Sequence, residues 1–263
     1  MALNLFDQRA LLFLPASNPR AIAKARSSDA DLVILDLEDA VKPEDKASAR
    51  LAAIAAIAQD WPMPVAIRIN GVGSAEHDAD LVALGRANCD LVVLPQVRSA
   101  EEVRGIKLGI PVAAMIENAA AVLAAAEIAQ HCDALIAGTN DLSMSLRLPA
   151  IDRSAMAYAL QATVVAARAA GIAVFDGVFN AIDDFDGFAR EATQSRSLGF
   201  DGKSLIHPDQ IAACHAAFAP SNEELTRAER LVAAATGGAE RFEGAMVETM
   251  HVDAARRLLA RHR

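Results

Sequence analysis

Three features of this sequence together predict an α/β fold, the (β/α)8 TIM barrel: eight short runs rich in Val, Ile and Leu, longer Ala-rich segments between them, and polar residues closing the runs. Strands buried on both faces read as continuous apolar stretches, and their alternation with helices implies a parallel sheet. Eight such units in 263 residues match a full-sized barrel. A doubly wound open sheet is the alternative, but no GxGxxG follows an early strand.

In chain order the first four runs are "LLFLP" (11–15), "LVILDLED" (32–39), "VAIRIN" (65–70) and "LVVLPQ" (91–96). The second four are "PVAAMIEN" (111–118), "ALIAGTND" (134–141), "VFDGV" (174–178) and "GKSLIHP" (202–208). Helical stretches between them include 43–59, 119–131, 154–170 and 184–198. Pro43, Glu44 and Asp45 suit a first helical turn, with proline pre-set and acids at the positive end of the dipole. Gly171 and Gly199 stand where helices stop. With no linker in view, residues 1–219 are expected to form a catalytic barrel. Residues 220–263 are expected to form a C-terminal helical extension or lid.

Composition narrows the function. The chain is 53% hydrophobic and 22% charged, enough for a large core. Its net charge of −9 argues against nucleic acid as a partner, because phosphate-backbone affinity needs clustered Lys and Arg. Three dispersed cysteines without a CxxC argue against disulfides or structural zinc and for a reducing cytoplasm. The first 20 residues do not read as a signal peptide, and no apolar run approaches the ~18 residues of a membrane span.

Chemistry in such a barrel sits at the C-terminal ends of the strands. Those ends carry Asp36, Glu38 and Asp39, then Arg68 and Asn70, Gln96, Glu117 and Asn118, Asn140 and Asp141, Asp176, and Lys203 with His207. All are expected to converge on one mouth. Glu117 and Asp141 close consecutive strands, and two carboxylates with waters and substrate oxygens suit Mg²⁺. They could equally cap the helices that follow. Arg68 lies inside an apolar strand, where a guanidinium needs a partner; it either pairs with the mouth acids or clamps a substrate carboxylate or enolate oxygen. His207 reads as a packing or capping residue, and Cys89 and Cys132 as inert packing at strand starts.

Taken in order, "RALLFLPASNPRAIAKA", "DLVILDLEDAVKPEDKASAR", "IRIN", "VVLPQV", "MIEN", "GTNDL", "GFDGKSLIHPDQI" and "FEGAMVETM" resemble the citrate lyase β-subunit-like branch of the HpcH/HpaI aldolase family. That resemblance implies a (β/α)8 fold, a Mg²⁺ cofactor and a homo-oligomer, trimeric or hexameric. It also implies cleavage or formation of a carbon–carbon bond in a 3-hydroxyacyl thioester of coenzyme A or an acyl carrier. Citramalyl-CoA or malyl-CoA would yield acetyl-CoA and a small 2-oxo acid.

Carried over by position, Glu117 and Asp141 match the metal carboxylates, and Arg68 the substrate arginine. Glu38 and Asp39 match acids lining the metal's water shell, with Glu38 also counted for substrate and Asp39 for catalysis. Glu248 matches an acid that reaches a neighbouring subunit's site on a lid. Three stretches depart from the pattern: Glu248 where Asp is usual, Gln96 where Lys is usual, and "IENAAA", which alters Asn118 and Ala120. A citryl-thioester lyase subunit, a pyruvate-type class II aldolase and a non-catalytic 2-oxo-acid binder are the alternatives.

Overall fold

A computed structural model describes residues 3–260. The chain resolves into two compact units, Met1–Phe218 and Ala219–Arg263. In the first, eight parallel strands close into a barrel in sequence order. They are β1 (Ala10–Pro15), β2 (Leu32–Asp36), β3 (Val65–Arg68), β4 (Leu91–Leu94), β5 (Val112–Ile116), β6 (Ala134–Ala137), β7 (Ala173–Asp176) and β8 (Gly202–Leu205). The helices between and after them are α1 (Pro19–Ala25), α2 (Lys46–Ile57), α3 (His77–Leu84), α4 (Ala100–Gly105), α5 (Ala119–Ala129), α6 (Thr139–Ser145), α7 (Ala157–Ala170), α8 (Phe185–Leu198) and α9 (Ile211–Phe218). Every predicted run coincides with one strand to within a few residues.

Alternation along each strand separates two apolar layers. Leu11, Leu32, Ile34, Leu91, Val93, Met115, Ile136 and Phe175 fill the barrel interior. Leu12, Val33, Leu35, Val92, Leu135 and Val174 pack outward against helix residues such as Ala53, Leu84, Ile128 and Leu160. Alanine supplies much of the helical contribution, which lets the helices lie close to the sheet.

Register is pinned at the bottom of the barrel by four aspartates. Asp31 accepts from the backbone N–H groups of Arg9 and Ala10, at 2.8 and 2.9 Å. Asp90 accepts from Val65 at 2.8 Å, Asp133 from Val112 at 2.8 Å and Asp201 from Val174 at 3.0 Å. Each acid precedes an even-numbered strand and holds the odd-numbered one before it, so a strand edge donor is satisfied at every second unit.

Helix ends follow local chemistry. Gly171 and Gly199 stop α7 and α8 in the left-handed region, with φ of 72° and 100°. Pro43–Asp45 form a 3₁₀ turn that leads into α2. Burial pushes the thiols of Cys89, Cys132 and Cys214 up to about 12, so they are inert at neutral pH.

The second unit contains α10 (Asn222–Ala234), a hairpin of β9 (Glu240–Phe242) and β10 (Ala245–Val247), and α11 (Thr249–Ala260). Its own core holds Ala228, Leu231, Val247, Val252 and Ala255. The hairpin departs from the all-helical expectation. Its loop, Glu243 and Gly244, has φ of 49° and 86°, and positive φ at both loop positions is what a tight type I′ connection requires. No helix among the described residues is long and apolar enough to cross a membrane.

Candidate active site

The barrel mouth opens into a cavity of about 440 Å³. Phe13, Pro15, Met115, Val178 and Ile206 form its apolar wall, while Asp36, Asp39, Arg68, Glu117 and Asp141 bring charge. Strand register explains the core of this arrangement. Asp36 on β2 is paired with Arg68 on β3, and both follow the interior parity of Leu32 and Ile34.

Arg68 donates from Nε to Asp36 Oδ1 and from Nη2 to Asp36 Oδ2, both at 2.6 Å. Its Nη1 lies 2.9 Å from Glu38 Oε2, close enough for an ion pair but out of line for a hydrogen bond. The guanidinium also stands over the Phe13 ring, 5.3 Å from its centroid. Asp36 accepts two further bonds, from the backbone of Glu38 at 2.8 Å and Ala40 at 3.0 Å. It therefore orients the arginine and the loop after β2 and has no capacity left for a ligand. Burial works against the Arg68 charge, but the bond and field of Asp36, with Glu38 and Glu117, hold its pKa above the usual value.

Glu117 directly follows β5, whereas Asp141 lies past the end of β6 in the first turn of α6, and both line the cavity. Glu117 is 2% exposed, and its Oε1 accepts the Gln96 backbone N–H at 2.5 Å. The Gln96 side chain donates to Asp141 Oδ2 at 3.0 Å, so one residue bridges the two carboxyls, and the Asp141 charge acts on Glu117. Gln96, which in the sequence is only a missing positive charge, thus touches both acids. It does so from a backbone φ of 52°, a strained conformation for a non-glycine residue. Gly138 completes the pocket, because any Cβ there would overlap Glu117 Cβ and Oε2.

The capping alternative for Glu117 fails: Asn118 caps α5, accepting from Ala121 at 2.9 Å and donating to Val97 O at 2.9 Å. Asn118 is therefore a buried structural residue and does not approach the cavity.

Four other strand-end residues do not converge on the mouth. Asp176 and Lys203 follow interior-facing Phe175 and flank interior-facing Ser204, so alternation turns both outward. Lys203 Nζ, fully buried, donates to Asp176 Oδ2 at 2.9 Å, Glu191 Oε1 at 2.8 Å and Gly177 O at 2.5 Å. Arg153 adds a second cation 3.0 Å from Asp176, whose pKa is held low by Lys203 and Arg153 against the effect of burial. Asn70 bonds to Asp80 and Lys46 behind the mouth. His207 caps the turn that follows it, its Nδ1 accepting from Asp209 N at 3.3 Å.

Five carboxylates (Asp36, Glu38, Asp39, Glu117 and Asp141) thus surround one guanidinium. Burial pushes the Glu38 carboxyl up to about 8, opposed by Arg68 and reinforced by Asp39, Glu117 and Asp36. Burial likewise raises Glu117 to about 7, opposed by the Gln96 N–H and reinforced by Asp141. Asp141 is raised too, by burial and then by Asp39.

Among the described residues no group of three or more His, Cys, Asp and Glu side chains is placed to hold a metal. A close pair of carboxylates with raised proton affinity and an orphaned Glu38 oxygen is nevertheless the donor set of a strongly hydrated cation. Mg²⁺ takes one or two protein carboxylates and keeps waters elsewhere, so Glu117 and Asp141 fit it.

This electrostatics has a measurable consequence. The folded chain holds protons on Glu38 and Glu117 that the unfolded chain, with carboxyls near 4.5, has already lost. Stability of the metal-free protein should therefore fall as pH rises from about 5 to about 8, by on the order of a few kcal/mol. Urea unfolding in excess chelator across that range reads it, and a flat or rising profile would contradict the burial of these acids. A divalent cation that replaces the protons should flatten the curve.

Glu248 belongs to the second unit. It precedes α11, with its backbone N–H donating to His251 Nδ1 at 2.9 Å, and it is not among the groups the barrel itself brings together.

Comparison with known proteins places this architecture among relatives. The family model described as HpcH/HpaI aldolase/citrate lyase matches residues 9–208. A (3S)-malyl-CoA thioesterase of Cereibacter sphaeroides is 39% identical over 96% of this chain and 94% of its own length. The citrate lyase β subunit of Escherichia coli is 31% identical over 97% and 93% respectively. Among solved structures, protein CitE of Mycobacterium tuberculosis in complex with magnesium, acetoacetate and coenzyme A superposes with a TM-score of 0.87. It is 34% identical to this chain, with 97% of each chain covered.

Proposed function

The chain belongs to the HpcH/HpaI aldolase/citrate lyase family, and from that premise we propose that it is a Mg²⁺-dependent carbon–carbon lyase. Its substrate is a 3-hydroxyacyl-CoA thioester such as malyl-CoA or citramalyl-CoA, cleaved to acetyl-CoA and a 2-oxo acid. The observation that carries this reading is the Glu117–Asp141 pair, bridged by Gln96, lining one cavity with the anchored Arg68. Magnesium, acetoacetate and coenzyme A bound to the Mycobacterium tuberculosis relative support the choice of ligands.

Glu117 and Asp141 would hold the metal, which supplies Lewis acidity to the substrate's carboxylate and neighbouring hydroxyl. Asp39, exposed on the cavity wall, is the acceptor for the hydroxyl proton. As that proton leaves, the hydroxyl oxygen becomes the carbonyl of the 2-oxo acid, and the carbon–carbon bond electrons pass into the thioester enolate. Arg68 spends two N–H groups on Asp36 and turns Nη1 toward Met115 Sδ at 3.9 Å, a weak acceptor, so it keeps donors that no carboxylate takes up to stabilise the developing negative charge. Glu248 of a neighbouring subunit is the proton donor to the enolate carbon, as its match to the lid acid suggests. The reading includes a homotrimeric or hexameric assembly in the cytoplasm.

Thioester hydrolysis is the second reading, favoured by the identity with the (3S)-malyl-CoA thioesterase. A panel of malyl-, citramalyl- and citryl-CoA with free hydroxy-oxo acids separates the two. Acetyl-CoA and a 2-oxo acid should form from malyl- or citramalyl-CoA and stop with chelator. Free CoA with an intact hydroxy acid would establish hydrolysis instead, and turnover of free acids alone would establish a class II aldolase. Binding of a 2-oxo acid with no product from any substrate would leave a non-catalytic binder.

A further inference from the structure

The acidic loop after β2 is held from outside the cavity by two residues that the proposed chemistry does not use. Lys46 and Arg50 are the last basic members of the "DLEDAVKPEDKASAR" string, and they lie one turn apart on the same face of α2. Lys46 Nζ donates to Leu37 O at 2.7 Å, Glu38 O at 2.6 Å and Asn70 Oδ1 at 2.7 Å. An ammonium has three donors, so all of its capacity converges on this loop and its neighbour.

Asn70 is itself fixed. Its backbone N–H and its Nδ2 both donate to Asp80 Oδ2, at 2.8 and 2.7 Å, and its carbonyl lies 2.8 Å from His77 Nδ1. Asp80 is fully buried, and its other oxygen accepts from Arg50 Nε at 2.6 Å. Arg50 also pairs with Glu76. The cluster is balanced, with Lys46 and Arg50 against Asp80 and Glu76, and every link is made.

We infer that Lys46 is a positioning residue: by drawing in the Leu37 and Glu38 carbonyls it sets the loop whose side chains, Glu38 and Asp39, face Arg68 and the cavity. The inference rests on the mouth being the active site. Lys46 lines no part of the cavity, so its influence must pass through the backbone of the acids it holds. The Arg50–Asp80–Asn70 chain keeps its third acceptor in place. Ordinary helix-surface lysines are mobile; this one is anchored at three points beside the two acids whose pose matters.

The test uses the full chain with Lys46→Met, which keeps the stem and removes the donors. Mg²⁺ affinity by calorimetry and kcat/KM on the thioester panel should each fall ~10–100-fold, the range for groups that orient metal-site residues. Lys46→Met should add little to a variant carrying both Glu38→Gln and Asp39→Asn, because all the lesions act on the same two acids. Wild-type Mg²⁺ affinity and kinetics in Lys46→Met, or an effect that multiplies with that double variant, would overturn the inference. Should Lys46→Met fail to fold, Lys46→Arg takes its place. A planar fork cannot meet three converging acceptors, so a partial loss in both readouts is expected, and wild-type values would overturn the inference. A wild-type protein that binds Mg²⁺ but turns nothing over would count against the proposed function alone, because the affinity comparison still judges Lys46.

Discussion

Glu117→Gln is expected to reduce turnover by about 10³-fold while leaving the fold intact. The amide preserves the size of a side chain that is 2% exposed and hemmed in by Gly138. It also keeps an oxygen that can accept the Gln96 backbone N–H. What it loses is the anionic oxygen that, with Asp141, would neutralise a divalent cation. Mg²⁺ affinity should drop in the same variant. Stability without metal should move the other way, or not at all, above pH 7. A carboxyl pushed up to about 7 by burial is costly to ionise there, and an amide has no such cost. Kinetics over a Mg²⁺ titration, beside urea unfolding in chelator, checks both halves. Undiminished turnover at any Mg²⁺ concentration would remove Glu117 from the metal site.

The barrel was legible because its strands are buried on both faces, which leaves runs such as Leu32–Leu35 and Leu91–Leu94 uninterrupted by polar residues. The same property hid the phase of each strand. "GKSL" carries a polar residue on each face and "VFD" ends on its single one, so neither says which side is inward, and Asp176 and Lys203 read as mouth residues. The structure turns both outward into an ion-pair cluster against α8. Arg68 and Asp36 were legible for the opposite reason: an arginine within an apolar strand demands a nearby acid, and strand register supplies one.

Gln96 was legible only as a departure. Its contribution depends on a positive φ that a non-glycine residue does not announce, and that backbone brings one residue onto both carboxylates. The hairpin in the second unit was hidden similarly, since Glu-Gly is a weaker turn signal than Asn-Gly. Lys46 stood in the quoted motif, but a helix-surface lysine has no visible partner until the loop carbonyls are placed.

Arg68→Met is expected to be the most damaging change at the mouth, through two effects that can be separated. Asp36 is 1% and Glu38 9% exposed, and the guanidinium is the cation that pairs with both. Removing it leaves buried carboxylates without a counter-charge, at a cost of about 3–5 kcal/mol. Lysine in its place gives little relief, because one ammonium cannot reproduce the fork that spans both Asp36 oxygens while facing Glu38. Turnover should fall by about 10²–10³-fold beyond any loss of folded protein, since the donors facing the developing negative charge are gone. Pairing Arg68→Met with Asp36→Asn tests the division. Removing one stranded charge should recover much of the stability and none of the activity. If the double variant instead regained turnover along with stability, Arg68 would be a structural counter-ion and the charge-stabilising role would belong to another group.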